Sequence, residues 1–534
     1  MKNIFSFLFL FFLFSFVEKT KKAPNILWIT CEDMSPHLGS YGEKVAKTPH
    51  LDQLAKEGAR YTNVFSTAGV CAPSRAALIT GCYQTNIGAM HMRTLATSAV
   101  LSKEDYPSGY HSYSAVVPAG VKCFPEYLRK AGYYTTNNFK QDYQFEAPEA
   151  VWNENSNKAH WRNRKDKNQP FFSVFNLMVT HESQVWSRNK EPLLVDPKLV
   201  EVPPYYPDDS ISRVTIARFL TNVMLMDKQV GEIIQQLKED KLYDDTIIFF
   251  YSDHGDGMPY VKRELLDRGL RVPMIIKAPF LKPNSIDNQL LSFVDFAPTV
   301  LSLANIIVPK TIQGKAFLGS QKAKIQRKYV FAGRDRMDSE YDRVRAVNDG
   351  QFTYLRNYMP QLPNYQNVRY RLQNPIMAQI LKLKKEGRLN EKQMHWFKAS
   401  KPLEELYDYK MDPHEINNLA DNQLYANKLK EMRAAHLQWM KKYKDAAEVP
   451  EMEMVNIWWK GKNTAPLTTK PEIIFTQNLV KIKSSDSSVS IVYKKLKHED
   501  WQIYTQPFYS KKGDSLYVEA QRIGYLKTDL KSIL

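Results

Sequence analysis

The sequence predicts an α/β fold: a mainly parallel central sheet flanked by helices, then a smaller C-terminal α+β subdomain and a short β module. Three observations carry this. Four β-like runs, Asn25–Thr30, Gly132–Asn137, Pro170–Val179 and Thr246–Tyr251, are largely without polar alternation, as strands buried on both faces are. Helical patterns separate them: Pro49–Gly58 is short and amphipathic, and Ser212–Lys238 is long, with apolar Ile216, Phe219, Leu220, Val223, Met224 and Leu237. After residue 472 the pattern changes to short alternating runs, Val489–Tyr493, Trp501–Tyr504 and Ser515–Ala520, which read as a small β-sandwich.

Composition narrows the class. A chain of 534 residues with 43% hydrophobic and 25% charged residues is long enough for one large α/β domain and smaller additions. Lys2 followed by the apolar run Ile4 to Val17 reads as a secretory signal over residues 1–22, with a retained N-terminal anchor as the alternative. That run is short for a membrane span, and no other stretch approaches that length, so no stable span is expected in the mature form. The net charge of +17 suits a polyanionic partner. No zinc knuckle, RRM or helix-turn-helix pattern accompanies it, which favours an acidic substrate over nucleic acid. Four cysteines do not make a disulfide scaffold at this size.

Each β-like run stops at residues that can do chemistry. The first ends in Glu32 and Asp33, paired carboxylates suited to a hard metal. The second leads to Lys140, the third to His181, and the fourth to Asp253 and His254. In open α/β sheets ligands bind beyond the carboxyl ends of the strands, so four such endings converge on one rim. Taken singly, each also fits a loop acid, a core histidine or a solvated lysine.

Between the first two runs lies Cys71-Ala-Pro-Ser-Arg-Ala-Ala-Leu-Ile-Thr-Gly81. Pro73 suits the first turn of a helix, so Cys71 sits where unpaired N–H groups and the dipole favour an anion. Arg75 adds a planar cation suited to an oxyanion. On these residues alone a buried structural cysteine is equally consistent.

The pattern C-x-P-S-R-x-x-x-x-T-G resembles the signature of the type I, formylglycine-dependent sulfatases of the alkaline-phosphatase superfamily. The eleven residues match without a gap, and the resemblance extends over roughly residues 24 to 445. It implies that Cys71 is oxidised to formylglycine by a maturase and that the hydrated aldehyde attacks sulfur. It implies a divalent metal, Ca2+ or alternatively Mg2+, on Glu32, Asp33, residue 71, Asp253 and His254. It further implies sulfate contacts from Arg75, Lys140 and Lys262, the last before Leu270-Arg271-Val272-Pro273, and a general acid in His181 with His91 behind it. Three positions depart from the family pattern: Glu32 stands where Asp is usual, and Phe139 and Asp142 replace a glycine and a histidine around Lys140. The segment Gly81 to Met92 resembles the heparan N-sulfatase (sulfamidase) branch. The expected substrate is therefore a sulfated oligo- or polysaccharide, a glycosaminoglycan first, met by a secreted or periplasmic bacterial enzyme.

The expected organisation is a sulfatase-like α/β domain over 23–325, an α+β subdomain over 326–445, an irregular linker over 446–472 and the β-sandwich over 473–534. Leu406-Tyr407-Asp408, Asp412-Pro413 and Glu415 to Ala420 resemble the closing segment of sulfatases. Arg334, Asp335, Arg336 and Asp342–Arg345 form a charge-dense loop that reads either as a sugar contact or as solvated surface. Two other readings stand beside the sulfatase: a phosphodiesterase or phosphonate hydrolase of the same superfamily, and a catalytically inactive binder of sulfated glycans.

Overall fold

The computed structural model describes residues 23–96 and 101–534; the apolar N-terminal run and its reading as a signal lie outside the described residues. Its centre is an eight-stranded sheet built from β1 (Asn25–Cys31), β2 (Ala59–Phe65), β3 (Tyr134–Asn138), β4 (Glu154–Asn155), β5 (Phe171–Leu177), β6 (Thr246–Ser252), β7 (Arg271–Lys277) and β8 (Ser285–Ser292). The spatial order is β4-β3-β5-β1-β6-β7-β2-β8. Pairing is parallel from β4 through β6, and β7 alone runs antiparallel, to both β6 and β2. The expected mainly parallel α/β sheet is what forms.

The apolar runs explain why helices cover both faces. All seven residues of β1 are buried, and their alternation divides them between two cores. Ile26 and Trp28 face the layer that contains the helices Cys71–Thr80 and Phe296–Leu303. Leu27, Ile29 and Cys31 face the layer of Pro49–Glu57 and the long helix Ser210–Glu239. β6 divides the same way, with Ile247, Phe249 and Tyr251 on one side and Ile248 and Phe250 on the other. A strand that is apolar at every position can satisfy both layers at once, whereas an alternating one could not.

Register then places the chemistry. Cys31 lies opposite Leu177 of β5 and opposite Ser252 of β6, and Asn138 of β3 lies opposite Phe175. Four parallel strands therefore stop within a few residues of one line, and the segments that follow them share one edge of the sheet.

Beyond this sheet, β9 (Val330–Arg334), β10 (Val344–Asn348), β11 (Phe352–Asn357) and β12 (Glu404–Asp408) form an antiparallel sheet in the order β12-β11-β10-β9. The helix Ala426–Lys442 packs Leu429, Met432 and Ala435 against Val347, Tyr354 and Leu406 of this sheet. Near the C-terminus two small antiparallel sheets share a core of Val480, Ile482, Leu516 and Val518.

The charge-dense loop is neither a sugar contact nor solvated surface. Arg334, Asp335, Arg336, Asp342 and Arg345 are all at most 4% exposed. Arg345 bridges Asp335 and Asp445, Arg334 bridges Glu264 and Asp342, and Arg336 makes a bidentate pair with Glu451. The partners lie up to 115 residues away, so local sequence carries no sign of them. Glu451 corrects the expectation of an irregular stretch as well. It opens a helix, Glu451–Trp458, inside residues 446–472, and Val455 and Trp459 are buried against Tyr113. His91, the second candidate for the general acid, belongs to this network: its Nδ1 accepts from the backbone N–H of Arg336 and its ring packs edge-on to Tyr341. Burial pushes its imidazole down to about 4, with Arg336 and Arg345 reinforcing the shift and Glu451 opposing it.

Removing one partner from such a network strands the other charge in a dry interior. Asp445→Ala, which leaves Arg345 half-paired, is expected to cost about 3–5 kcal/mol in urea denaturation; a loss under about 1 kcal/mol would contradict the pairing. A histidine held below its unfolded value near 6.5 stabilises the fold above that pH, and the contribution is lost as pH falls through about 4. The unfolding midpoint of the wild type should therefore fall more steeply between pH 6.5 and 4 than that of His91→Gln.

Candidate active site

The helix Cys71–Thr80 begins at Cys71 itself, with Pro73 in the first turn, where a missing N–H costs no hydrogen bond. All ten of its residues are buried. Ser74 donates its hydroxyl to the carbonyl of Asp253 at 2.7 Å, fixing the helix start against the end of β6. Cys71 Sγ consequently lies 3.7 Å from Asp33 Oδ1, 3.4 Å from His254 Nε2 and 3.8 Å from Lys262 Nζ. Burial raises the thiol pKa, and Lys140 and Lys262 only partly offset it. As a thiol it is thus a weak nucleophile at neutral pH. The other three cysteines, Cys31, Cys82 and Cys123, are buried and free.

Asp33 is the most heavily engaged group. Its Oδ2 accepts from Lys262 Nζ at 2.6 Å and from the backbone N–H of Glu182 at 2.6 Å, and its Oδ1 meets His254 Nε2 at 2.8 Å. The backbone N–H of Asp33 in turn donates to Asp253 Oδ1 at 3.0 Å. Burial alone would raise its pKa; Lys262 and His254 overcome that and hold it well below the ordinary carboxylate range. Asp253 goes the other way, raised by burial and by Glu32. His254 Nδ1 lies 2.9 Å from the carbonyl of Gly255, which fits an Nδ1–H donor and leaves Nε2, the nitrogen that faces Asp33 Oδ1, as the one that would bind a metal.

Ligand atoms of Asp33, Cys71, Asp253 and His254 all lie within 4.8 Å of one another. The cluster offers two carboxylates, one imidazole nitrogen and the side chain of residue 71 to a single point. This donor set, oxygen-rich with one imidazole, fits a divalent ion. Four of the five expected ligands are thus brought together. Glu32 is not in that set: its carboxylate pairs with Arg75 and Lys140, and those two cations overcome burial to hold its pKa far down.

The expected sulfate-binding cations take up places around the same point. Arg75 donates Nε to Asp253 Oδ2 at 3.2 Å, Nη1 to Asn176 Oδ1 at 2.8 Å and Nη2 to Glu32. Lys140 and Lys262 line the same cavity as Cys71. His181 also lines it, with Nδ1 2.8 Å from Ser183 Oγ. Burial pushes its imidazole down to about 4; Asp33 opposes this, and Lys262 and Lys140 add to it. His91 does not line the cavity.

Two contributors carry no signal in the sequence. Glu182 makes a bidentate pair with Arg263 at 3.1 and 2.8 Å and meets Lys262 Nζ at 3.0 Å, so it steers Lys262 between two carboxylates. Asn176 fixes the Arg75 fork from β5. Glu182 carries no signal because a buried Glu-Arg pair is indistinguishable from surface charge without the fold, and Asn176 because a lone amide in an apolar strand does not reveal its partner. Counting these, five carboxylates (Glu32, Asp33, Asp142, Asp253, Glu182) face four cations (Arg75, Lys140, Lys262, Arg263). The opening above them is a cavity of about 550 Å³, large enough for a sugar-sized ligand and not only for an inorganic oxyanion.

Comparison with known proteins agrees with this geometry. The family model described as Sulfatase matches residues 24–306. A protein named "Ulvan-active sulfatase" from Formosa agariphila is 42% identical over 95% of this chain and 90% of its own length. The human N-sulphoglucosamine sulphohydrolase is 24% identical over 78% of this chain and 89% of its own. Among solved structures, one bound to its substrate D-glucosamine-2-N,6-O-disulfate superposes with a TM-score of 0.54 at 19% identity, covering 79% of this chain and 99% of that one; at that identity the likeness speaks for the fold. The chain belongs to the sulfatase family and is a sulfuric ester hydrolase.

Proposed function

We propose that this protein removes sulfate ester or N-sulfate groups from a sulfated carbohydrate, using residue 71 in its formylglycine form and a divalent metal, Ca2+ before Mg2+. The observation that carries the reading is the convergence of Cys71, Asp33, Asp253 and His254 at the foot of a sugar-sized cavity walled by Lys140, Lys262 and His181. The 42% identical relative makes ulvan the first substrate to test, with heparan-type N-sulfoglucosamine second.

When bound, the metal supplies a positive charge that polarises a sulfate oxygen and lowers the pKa of a bound hydroxyl. As a hydrated aldehyde, residue 71 would attack sulfur through one hydroxyl while the bond from sulfur to the carbohydrate oxygen or nitrogen breaks, and loss of the proton of its second hydroxyl to solvent would re-form the C=O and expel sulfate. Everything else falls to the chain. Asp33, Asp253 and His254 would hold the metal; Glu182 and Asp33 aim Lys262, and Glu32 aims Lys140. These fixed cations stabilise charge gathering on the sulfuryl oxygens without reorganising as it forms. His181 lines the same cavity as Cys71 and the two lysines, which makes it the candidate to donate the proton that the leaving oxygen or nitrogen needs. A maturase is the expected partner for Cys71, and the N-terminal apolar run points to export from a bacterial cell.

The conversion is countable. Thiol titration in guanidinium should find four cysteines in protein made without a maturase and three after co-expression, with the mass of the residue 71 peptide shifted to the aldehyde. Persistence of four thiols with full sulfate release from ulvan or heparin oligosaccharides would sink the mechanism. Lys140→Ala and Lys262→Ala are each expected to lower kcat by roughly 10²–10³-fold.

Metal binding has a readout separate from turnover. Ca2+ at about 100 times its Kd should stabilise the wild type by about 2.7 kcal/mol and raise its Tm, and the rise should vanish in His254→Ala. An equal rise in both would remove His254 from the proposed ligands.

A further inference from the structure

The cavity is much larger than a sulfate group, and one cation in its wall has no part in the chemistry derived above. Arg93 lines the cavity together with Cys71, Lys140, His181 and Tyr370. Three contacts hold its side chain. Nε donates to Asp338 Oδ1 at 2.7 Å, the guanidinium lies 5.0 Å from the centre of the Tyr370 ring, and Tyr370 is itself braced edge-on by Trp186. The backbone is fixed too: Met92 N–H donates to Arg336, and the Arg93 carbonyl accepts from Tyr110. Among the described residues neither Nη has a partner, although the side chain is only 17% exposed. A guanidinium pinned by its Nε and by one face, with its Nη edge left over, is a preorganised fork for a second anion.

Backbone strain marks the same wall. Arg93 has φ +61°, Asp338, which holds it, has φ +52°, and Asp142 and Gln144, which line the same cavity, have φ +55° and +61°; Gln144 bonds to Thr94 next to Arg93. Left-handed backbone at non-glycine residues costs of order 1–3 kcal/mol each. It persists here in segments that shape one opening. Asp338 is fixed in turn by Arg336, whose Nη1 donates to the Asp338 carbonyl at 2.6 Å while its other nitrogens grip Glu451. Asp338 meets Nε alone, so it leaves the Nη edge of Arg93 free to donate.

We propose that Arg93 is a specificity-determining residue that binds an anionic substituent of the carbohydrate other than the sulfate being removed, either a uronate carboxylate or a second sulfate. This rests on the sulfatase reading and adds to it a substrate class: sugars that carry two anions within the span of one cavity. A singly sulfated, otherwise neutral sugar would leave the fork unused, and Tyr370 beside it offers an aromatic face to the ring that bears the second anion.

The test uses maturase-matured full-length protein and three matched sulfated disaccharides: one with a uronic acid, the same molecule with its carboxyl reduced to an alcohol, and a disulfated analogue. In the wild type kcat/KM should be highest for the doubly anionic pair. In Arg93→Gln the ratio of kcat/KM, doubly anionic over carboxyl-reduced, is expected to fall at least ten-fold, chiefly through KM. Arg93→Lys, which keeps the charge and loses the fork, should fall between the two and covers the case in which the glutamine variant does not fold. A fall confined to the uronate substrate assigns the carboxylate, and one confined to the disulfated substrate assigns the second sulfate. Turnover of all three at an unchanged ratio in both variants would overturn this inference alone. No turnover of any of them, or of ulvan and heparin oligosaccharides, by matured wild type would overturn the sulfatase reading and this inference with it.

Discussion

The carboxylate of Asp33 is the contact on which the site depends. It is fully buried and touches a lysine, a backbone N–H and an imidazole, which come from the segments after β6 and after β5. Taking a carboxylate out of water costs several kcal/mol unless each oxygen is satisfied. Satisfying this one requires β1, β5 and β6 to end level with one another. The parallel register supplies that, and the double apolar core fixes the register, because a one-residue slip would exchange the faces of Ile26 to Cys31. Hydrophobic patterning in three strands is thus converted into the position of a single charge.

Much of this could be read from residues alone, and the reason is local. A largely apolar strand stopped by Glu32-Asp33 or Asp253-His254 declares its place in a parallel sheet within ten residues, and only the four endings together with the Cys71 segment point to function. The helix after Val70 declares itself through Pro73. What could not be read are pairings across the chain. Arg334, Arg336 and Arg345 look like solvated charge because Glu264, Glu451 and Asp445, which bury them, stand 70, 115 and 100 residues away. Glu182 and Arg263 were missed for the same reason, 81 residues apart. Glu32 could be placed at the rim but not oriented: its carboxylate pairs with Arg75 and Lys140 and groups with Cys71 and His181, while Asp33 meets His254. The helix Glu451–Trp458 was obscured by neighbouring prolines and is fixed by Glu451 meeting Arg336, Tyr113 and Tyr341.

Two kinds of rigidity meet at the cavity. Its floor is held by interlocked ion pairs in which Arg75, Lys140 and Lys262 each meet two carboxylates, so that moving one group uncovers another. Its wall is held by left-handed backbone at Arg93, Asp142, Gln144 and Asp338, conformations that survive only because neighbours over-determine them. The floor is suited to one invariant group and the wall to whatever surrounds that group.

Glu451 links this wall to a distant stretch of sequence. Through Arg336 and then Asp338 it braces Arg93, so a helix more than a hundred residues beyond the last metal-facing side chain forms part of the frame around the opening. Inheritance of selectivity in such a chain need not pass through the residues that touch sulfur. A change in the tail can therefore reach the opening without touching a residue that faces sulfur, whereas outright loss of Glu451 would leave the Arg336 guanidinium stranded in a dry interior.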